Sequence, residues 1–332
     1  MSYSKYLTSL MEKARLLNRT VVLPEGEDMR VLEAAHIIAS EKVAKLIVLG
    51  NEKEIRSHFE AQGWSLDGIE IIEPETSPLL AGYTQLLYNL RKEKGLTEEE
   101  AAQWARNYNY FGTLMVKAGD ADGMVSGANH YTSDTVRPAL QIIKSAKKGR
   151  SVSSCMIMVS EGKPYFIGDG AIIINPTARE MADVALDTAE MAIKFGLEPK
   201  VAMLSYSTFG SGKGEAVDKV REATRLAKAD LELPEYKGKN IKVDGEMQVD
   251  AALDEIVARK KAPDSEVAGH ANILIFPNLE TGNIGYKLLQ RLGGCEAYGP
   301  MLLGLNAPVN DLSRGAKVED IVGMIAVTCL QK

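Results

Sequence analysis

The sequence predicts an α/β fold built as two α/β domains, and three observations predict it. Short apolar runs of strand length alternate with stretches whose apolar residues recur at helical spacing, the pattern of a parallel or mixed sheet covered on both faces. Several runs end in Gly, Pro or small polar residues that open the next helix, the geometry in which ligands meet the carboxyl ends of strands. From about Ser151 two apolar runs follow one another directly across a Gly-containing turn, which reads as a hairpin opening a second domain.

In chain order, residues 3–17 form an amphipathic helix, and Thr20–Leu23 a buried strand ending at Pro24-Glu25-Gly26. A helix from about Asp28 to Ser40 buries Val31, Ala34, Ala35 and Ile38, and strand Leu46–Leu49 closes a β-α-β unit at Gly50. Strands near Ile69–Ile72 and Gly123–Val125 continue the alternation. The second enters the small-residue turn Ser126-Gly127-Ala128-Asn129-His130-Tyr131-Thr132, after which Ser133 to Lys147 reads as a helix.

The hairpin strands are read as Ser153–Val159 and Tyr165–Ile174 around Glu161-Gly162-Lys163-Pro164. Helix Thr177–Phe195, strand Val201–Leu204, a Gly-rich turn, helix Glu215–Ala227, strand Ile241–Val243, helix Val249–Lys260 and strand Ile273–Phe276 follow, with a helix after Gly282 ending near Gly293-Gly294. By pattern alone the closing strand and helix fit either domain.

Composition excludes several classes. At 332 residues, with 45% hydrophobic and 25% charged residues, the chain can bury two cores and is not disordered. A net charge of −6 argues against a nucleic-acid partner, so any anionic substrate must be gripped by a few placed cations. Three cysteines without CxxC spacing, the charged amphipathic start and the lack of an ~18-residue apolar run give the expectation of a soluble, cytoplasmic protein that does not enter a membrane.

Gly210-Ser211-Gly212-Lys213-Gly214 invites a nucleotide reading, but Gly214 stands where the Walker pattern needs Ser or Thr, and Glu215 breaks GxGxxG. A phosphate-cradling turn and a plain tight turn remain. The four histidines show no metal spacing, Asp122 and Asp169 belong to no clustered set, and no divalent metal is expected. Cys155, inside an apolar run, reads as a buried, inert thiol.

The most informative stretch is Val309-Asn310-Asp311-Leu312-Ser313-Arg314-Gly315, followed at Val318 by an apolar helical pattern. A hydroxyl and a guanidinium beside a helix N-terminus suit an anion, and with Lys317 as N-cap the Asp320 carboxylate projects back toward the loop. Asp320 then either accepts a proton there or only complements the helix dipole.

The segment GPMLLGLNAPVNDLSRGAKVED resembles the C-terminal signature of the phosphate acetyltransferases, Pro-x-Asn-Asp-Leu-Ser-Arg-Gly before Val-Glu-Asp, and the similarity extends over essentially the whole chain. Lys317 departs from it, since Ser or Thr is common at that cap. The resemblance implies a fold like that of the isocitrate and isopropylmalate dehydrogenases, with a cleft between the domains. Residues 1–149 and 299–332 would form one domain and 150–298 an inserted second. It implies exchange of acetyl-CoA and phosphate with CoA and acetyl phosphate through a ternary complex, with coenzyme A as substrate, no bound cofactor and a homodimer.

In that reading Asp320 takes the thiol proton, Arg314 holds the phosphate and Ser313 donates a hydrogen bond to the reacting centre. Arg91 in LRKEKG and Arg137 in TSDTVRP match arginines implicated in coenzyme A binding. Ser126, Thr132, Lys287 and Tyr298 are the right residue types to touch an acyl phosphate. Proton transfer from a thiol near pKa ~8.5 to an aspartate near ~3.9 is uphill by about 6 kcal/mol, so the site must narrow that gap. Competing readings are a phosphate butyryltransferase, a decarboxylating dehydrogenase and a non-catalytic acyl-CoA sensor.

Overall fold

The computed structural model describes residues 3–147 and 149–332; Met1 and Ser2 of the opening run, and Lys148, lie outside the described residues. The chain divides into two compact units, Met1–Ala146 with Leu305–Lys332, and Lys147–Gly304.

The first unit runs α1 (Lys5–Arg15), β1 (Thr20–Leu23), α2 (Met29–Ser40), β2 (Lys45–Leu49), α3 (Glu52–Gln62), β3 (Ile69–Ile72), α4 (Leu80–Arg91), α5 (Glu98–Trp104), α6 (Tyr108–Ala118), β4 (Gly123–Ser126) and α7 (Thr132–Pro138). After the second unit it is completed by β11 (Val309–Asp311) and α13 (Val318–Gln331). Its sheet is parallel throughout, in the order β11-β4-β1-β2-β3. Neighbours Val21 and Val22 point to opposite faces and both are fully buried, so helices cover both sides. The turns after β1, β4 and β11 therefore meet along one edge.

Local chemistry sets the boundaries. Asp28 caps α2 by accepting from Arg30 N, and Asn107 and Thr97 cap α6 and α5 in the same way. The helix expected to reach Lys147 stops at Ile143: Pro138 cannot donate to the ladder, residues 139–143 widen into a π-turn, and Lys144 adopts a left-handed φ of 64°.

The second unit comprises β5 (Ser153–Ser160), β6 (Lys163–Gly168), α8 (Ala178–Lys194), β7 (Lys200–Leu204), α9 (Glu215–Asp230), β8 (Lys242–Met247), α10 (Val249–Leu253), α11 (Glu255–Lys261), β9 (Ile273–Ile275), α12 (Leu279–Arg291) and β10 (Glu296–Leu303). Its mixed sheet has the order β10-β5-β6-β9-β7-β8, antiparallel at the β10-β5-β6 end and parallel elsewhere.

Three expectations are corrected here. The apolar run Tyr165–Ile174 is strand only to Gly168, because the Asp169 carboxylate accepts from the backbone N–H groups of Ala171, Ile172 and Ile173 and bends the chain into a loop. The single helix expected over Val249–Lys260 is two, broken at Asp254, whose side chain caps the second. Finally, β10 pairs with β5 as far as Leu303, so the division falls at 146/147 and 304/305 rather than at 150 and 298.

Candidate active site

At the carboxyl edge of the first sheet, one buried carboxylate organises a whole turn. Glu25, 1% exposed, accepts hydrogen bonds from the backbone N–H of Ala128 (2.9 Å), Asn129 (2.8 Å) and His130 (3.1 Å), and pairs with His130 Nδ1 at 2.7 Å. Burial pushes the Glu25 pKa up, but the His130 ring and these N–H groups outweigh it and hold the carboxyl below its usual range. The same bond raises the pKa of His130 against the effect of burial, aided by the charges of Glu25, Glu27 and Asp134.

Gly127 makes the adjoining close approach possible. It has φ +106°, and a Cβ there would lie 2.4 Å from Asp311 Oδ1 and 2.6 Å from Leu312 N. Leu312 N donates to Ser126 O (2.7 Å) and Thr132 Oγ1 to Asp311 Oδ2 (2.7 Å), so the turn after β4 is fastened to the loop after β11. Asp311 Oδ1 is buried without a regular hydrogen bond, and burial pushes this carboxyl up to about 6 despite Thr132.

Arg30 completes the fastening. Its guanidinium donates to both Asp28 oxygens and to the carbonyls of Ala128, Arg314 and Ala316, which engages all five of its N–H groups. Arg314 is thus held by its backbone while its side chain is exposed, with the guanidinium carbon 4.6 Å from the Tyr131 ring centroid. No carboxylate pairs with it among the described residues. Ser313 is exposed beside it, its Oγ accepting from Gly315 N at 3.3 Å.

Asp320 lies where the sequence reading puts it, in the first turn of α13, and its Oδ2 accepts from Lys317 N at 2.9 Å. That bond is the return half of a capping box, the third helical residue accepting from the N-cap N–H. The dipole-complementing role is therefore present in the structure, whatever else this carboxylate does.

Arg91, at the end of α4, and Arg137, near the end of α7, both act electrostatically on Tyr110 of α6, opposing the rise that burial causes in its pKa. The Tyr110 hydroxyl donates to Gln141 Oε1 at 2.8 Å, and neither arginine has a carboxylate partner among the described residues. Ser126, by contrast, is fully buried and donates its hydroxyl to Asn109 Oδ1. Thr132 is exposed, and its hydroxyl donates to Asp311 Oδ2.

Lys287 and Tyr298 belong to the second unit. Lys287 is exposed on α12 with its Nζ 5.8 Å from the Tyr286 ring centroid, whereas Tyr298 on β10 is buried and donates its hydroxyl to Glu296.

The Gly-rich turn of that unit is not an anion cradle. Gly210 N donates to Glu246 Oε1, Gly212 N to Ser207 Oγ, Phe209 N to Glu246 O and Ser211 N to Thr208 O, and the buried Glu246 is paired in turn with Arg221. A carboxylate already fills the place an anion would take. Cys155 is buried and its thiol pushed well up by burial; among the described residues no three His, Cys, Asp or Glu side chains group to hold a metal, and no helix is long and apolar enough to cross a membrane.

Fold and site define a two-unit α/β protein that displays an unpaired guanidinium at the carboxyl edge of a parallel sheet. A sequence profile described as phosphate acetyl/butaryl transferase matches residues 5–329. The phosphate acetyltransferase of Corynebacterium glutamicum is 45% identical over 331 residues, covering 100% of this chain and 98% of that protein. The EutD phosphotransacetylase of Staphylococcus aureus is 46% identical with a TM-score of 0.89, covering 98% of each chain. A phosphotransacetylase of Streptococcus pyogenes is 46% identical with a TM-score of 0.90, covering 100% of this chain and 99% of its own. The chain belongs to the phosphate acetyl/butaryl transferase family.

Proposed function

We infer that this chain is an acyltransferase exchanging an acetyl group reversibly between coenzyme A and inorganic phosphate, the activity for which its relatives are named. Within that activity the residue roles are our reading. Arg314 grips the phosphate oxygens of acetyl phosphate, Ser313 donates to the reacting carbonyl, and Asp320 takes the CoA thiol proton as the thiolate forms the new C–S bond and phosphate leaves. Arg91 and Arg137 hold the phosphates of coenzyme A, and Lys287 is kept as a contact for the anionic substrate. No acyl-enzyme is needed.

The observation that carries this reading is the Arg314 side chain: exposed, stacked on Tyr131, anchored through its own carbonyl and unpaired with any described carboxylate. A guanidinium so placed has its planar donors available for a phosphate. The buried Ser126 supports the turn, and the exposed Thr132 braces Asp311 at its base.

The reaction as we read it routes no step through a metal. Three free cysteines fit a reducing cytoplasm. A homodimer is supported by α12 and its C-cap, where Ile284, Leu288 and Leu292 form an apolar stripe 51–83% exposed at helical spacing.

The test is CoA-dependent phosphate release from acetyl phosphate, without added metal, by wild type and Arg314→Ala. Turnover by the first and its loss in the second are expected; an active Arg314→Ala removes the clamp. For Asp320, a pH–rate profile of Asp320→Asn identical to wild type removes its role as base.

A further inference from the structure

We propose that His130 is a second phosphate ligand, its Nε2–H donating to the phosphate group that Arg314 grips. The proposal rests on the reading of Arg314 given above and adds to it a specific partner.

Glu25 decides which ring nitrogen is available. Glu25 is an acceptor in its ionised form, so Nδ1, 2.7 Å away, carries a proton and donates. Nε2 has no hydrogen bond to a protein group among the described residues, and the His130 side chain keeps 31% of its surface open. The imidazole is thus fixed at its inner edge and free at its outer edge. Because Glu25 also binds the backbone N–H groups of residues 128, 129 and 130, ring and turn move as one body. A donor held this way loses little freedom when a ligand arrives.

Position follows from the neighbours. Tyr131, the next residue, carries the Arg314 guanidinium on its ring, and Thr132 is bonded to Asp311 at the base of the same loop. Elimination points the same way, since a dianionic phosphate on a chain of net charge −6 needs more than one cation nearby. Arg30 has no donor left for it, whereas His130 precedes the Tyr131 ring on which Arg314 stacks.

Charge agrees with position. The carboxylates facing His130 are Glu25, Glu27 and Asp134, and together they favour the imidazolium, with both ring nitrogens as donors. As the C–O bond to phosphate breaks and its electron pair stays on the phosphate oxygen, this cation stabilises the added charge. In the opposite direction it orients the attacking phosphate.

Two substitutions separate the outer nitrogen from the inner. His130→Asn retains a donor that can reach Glu25 and removes the outward one; His130→Gln does the reverse. We expect His130→Asn to raise the KM for phosphate and for acetyl phosphate about tenfold, the size of one charge-assisted hydrogen bond, with the KM for CoA within about twofold. We expect His130→Gln to retain more phosphate affinity than His130→Asn.

In wild type the KM for phosphate should rise as pH climbs through the His130 pKa, and this rise should vanish in His130→Asn. Should the variants fold poorly, the His130 titration in wild type, followed by NMR, should move to higher pH in saturating inorganic phosphate. An unchanged phosphate KM in folded His130→Asn, or a His130 titration indifferent to phosphate, overturns the proposal. Loss of activity in Arg314→Ala beside a normal His130→Asn sinks this inference alone, whereas an active Arg314→Ala sinks the reading beneath it.

Discussion

Each unit has a strand that turns into a helix around a buried glutamate, and the two turns treat their cations oppositely. In the second unit Glu246 takes Arg221 in a two-pronged ion pair and also binds Ser207 and Gly210, so the most phosphate-like string in the sequence, GSGKG, has no backbone donor to offer at Phe209 through Gly212. In the first unit Glu25 binds backbone N–H groups and one ring nitrogen, and Arg30 is engaged by Asp28 and carbonyls, while Arg314 has no carboxylate partner among the described residues. Uncommitted donors, not glycines, distinguish an open anion site from a closed turn.

The largest expected effect separates the two arginines. Arg314→Ala should lower kcat/KM by about 10³-fold while leaving the melting temperature close to wild type, as expected when one donor to developing charge is lost. Arg221→Ala should do the reverse, lowering the melting temperature with kcat within about threefold, because its loss strands a buried carboxylate. Steady-state rates and thermal melts on the same preparations check both halves, and exchanged outcomes would break the comparison.

Next in size is a contrast in pH. Asp311 has its pKa raised to about 6 from 3.8, so the folded state holds this proton more tightly than the unfolded chain. Its contribution to stability is fully present below about pH 4 and is lost as pH rises through about 6. Asp311→Asn should therefore gain at most about 3 kcal/mol over wild type at pH 8 and nothing at pH 4, measured by urea unfolding. Glu246 has the opposite sign: burial raises its pKa, but Arg221, Gly210 and Ser207 more than reverse this. Its contribution is present above its ordinary range and is lost as pH falls through the lowered value. Parallel pH trends for Asp311→Asn and Glu246→Gln would contradict the assignment.

Smaller again, Arg137→Ala should raise the KM for CoA about tenfold without changing that for phosphate, since removing a charged hydrogen bond costs about 1.5–3 kcal/mol. The smallest effect is expected at the Gly-rich turn, where Lys213→Ala should leave both KM values within about twofold of wild type. A larger response there would reopen the anion-cradle reading.

What was legible in the sequence follows from the range of the interactions involved. Strands, caps and the hairpin rest on neighbours a few residues apart, and the Asp320–Lys317 cap follows from spacing alone. The failures are also local but lie in competition: Asp169 outbids the strand for three N–H groups, and Asp254 ends one helix by starting another. Glu25, Arg30 and Tyr131 escaped notice as site residues because their partners lie elsewhere in the fold. Glu25 meets its turn 103 residues on, and Arg30 reaches Arg314 across 284 residues. Asp311 stood inside the quoted NDLSRG run, yet nothing there marks one carboxylate as buried. For Ser126, a small polar residue ending a buried strand reads the same whether it faces ligand or Asn109.

The order β11-β4-β1-β2-β3 also has a consequence in time. A nascent chain made as far as Gly304 contains the whole second unit, but its first sheet ends at β4, with one edge of backbone donors and acceptors uncovered. Synthesis of the 28 residues Leu305–Lys332 takes roughly 1.5–6 s at ~5–20 residues per second. Through that interval the later-made unit can fold first, while the earlier-made one waits for the strand that brings Arg314 to its edge.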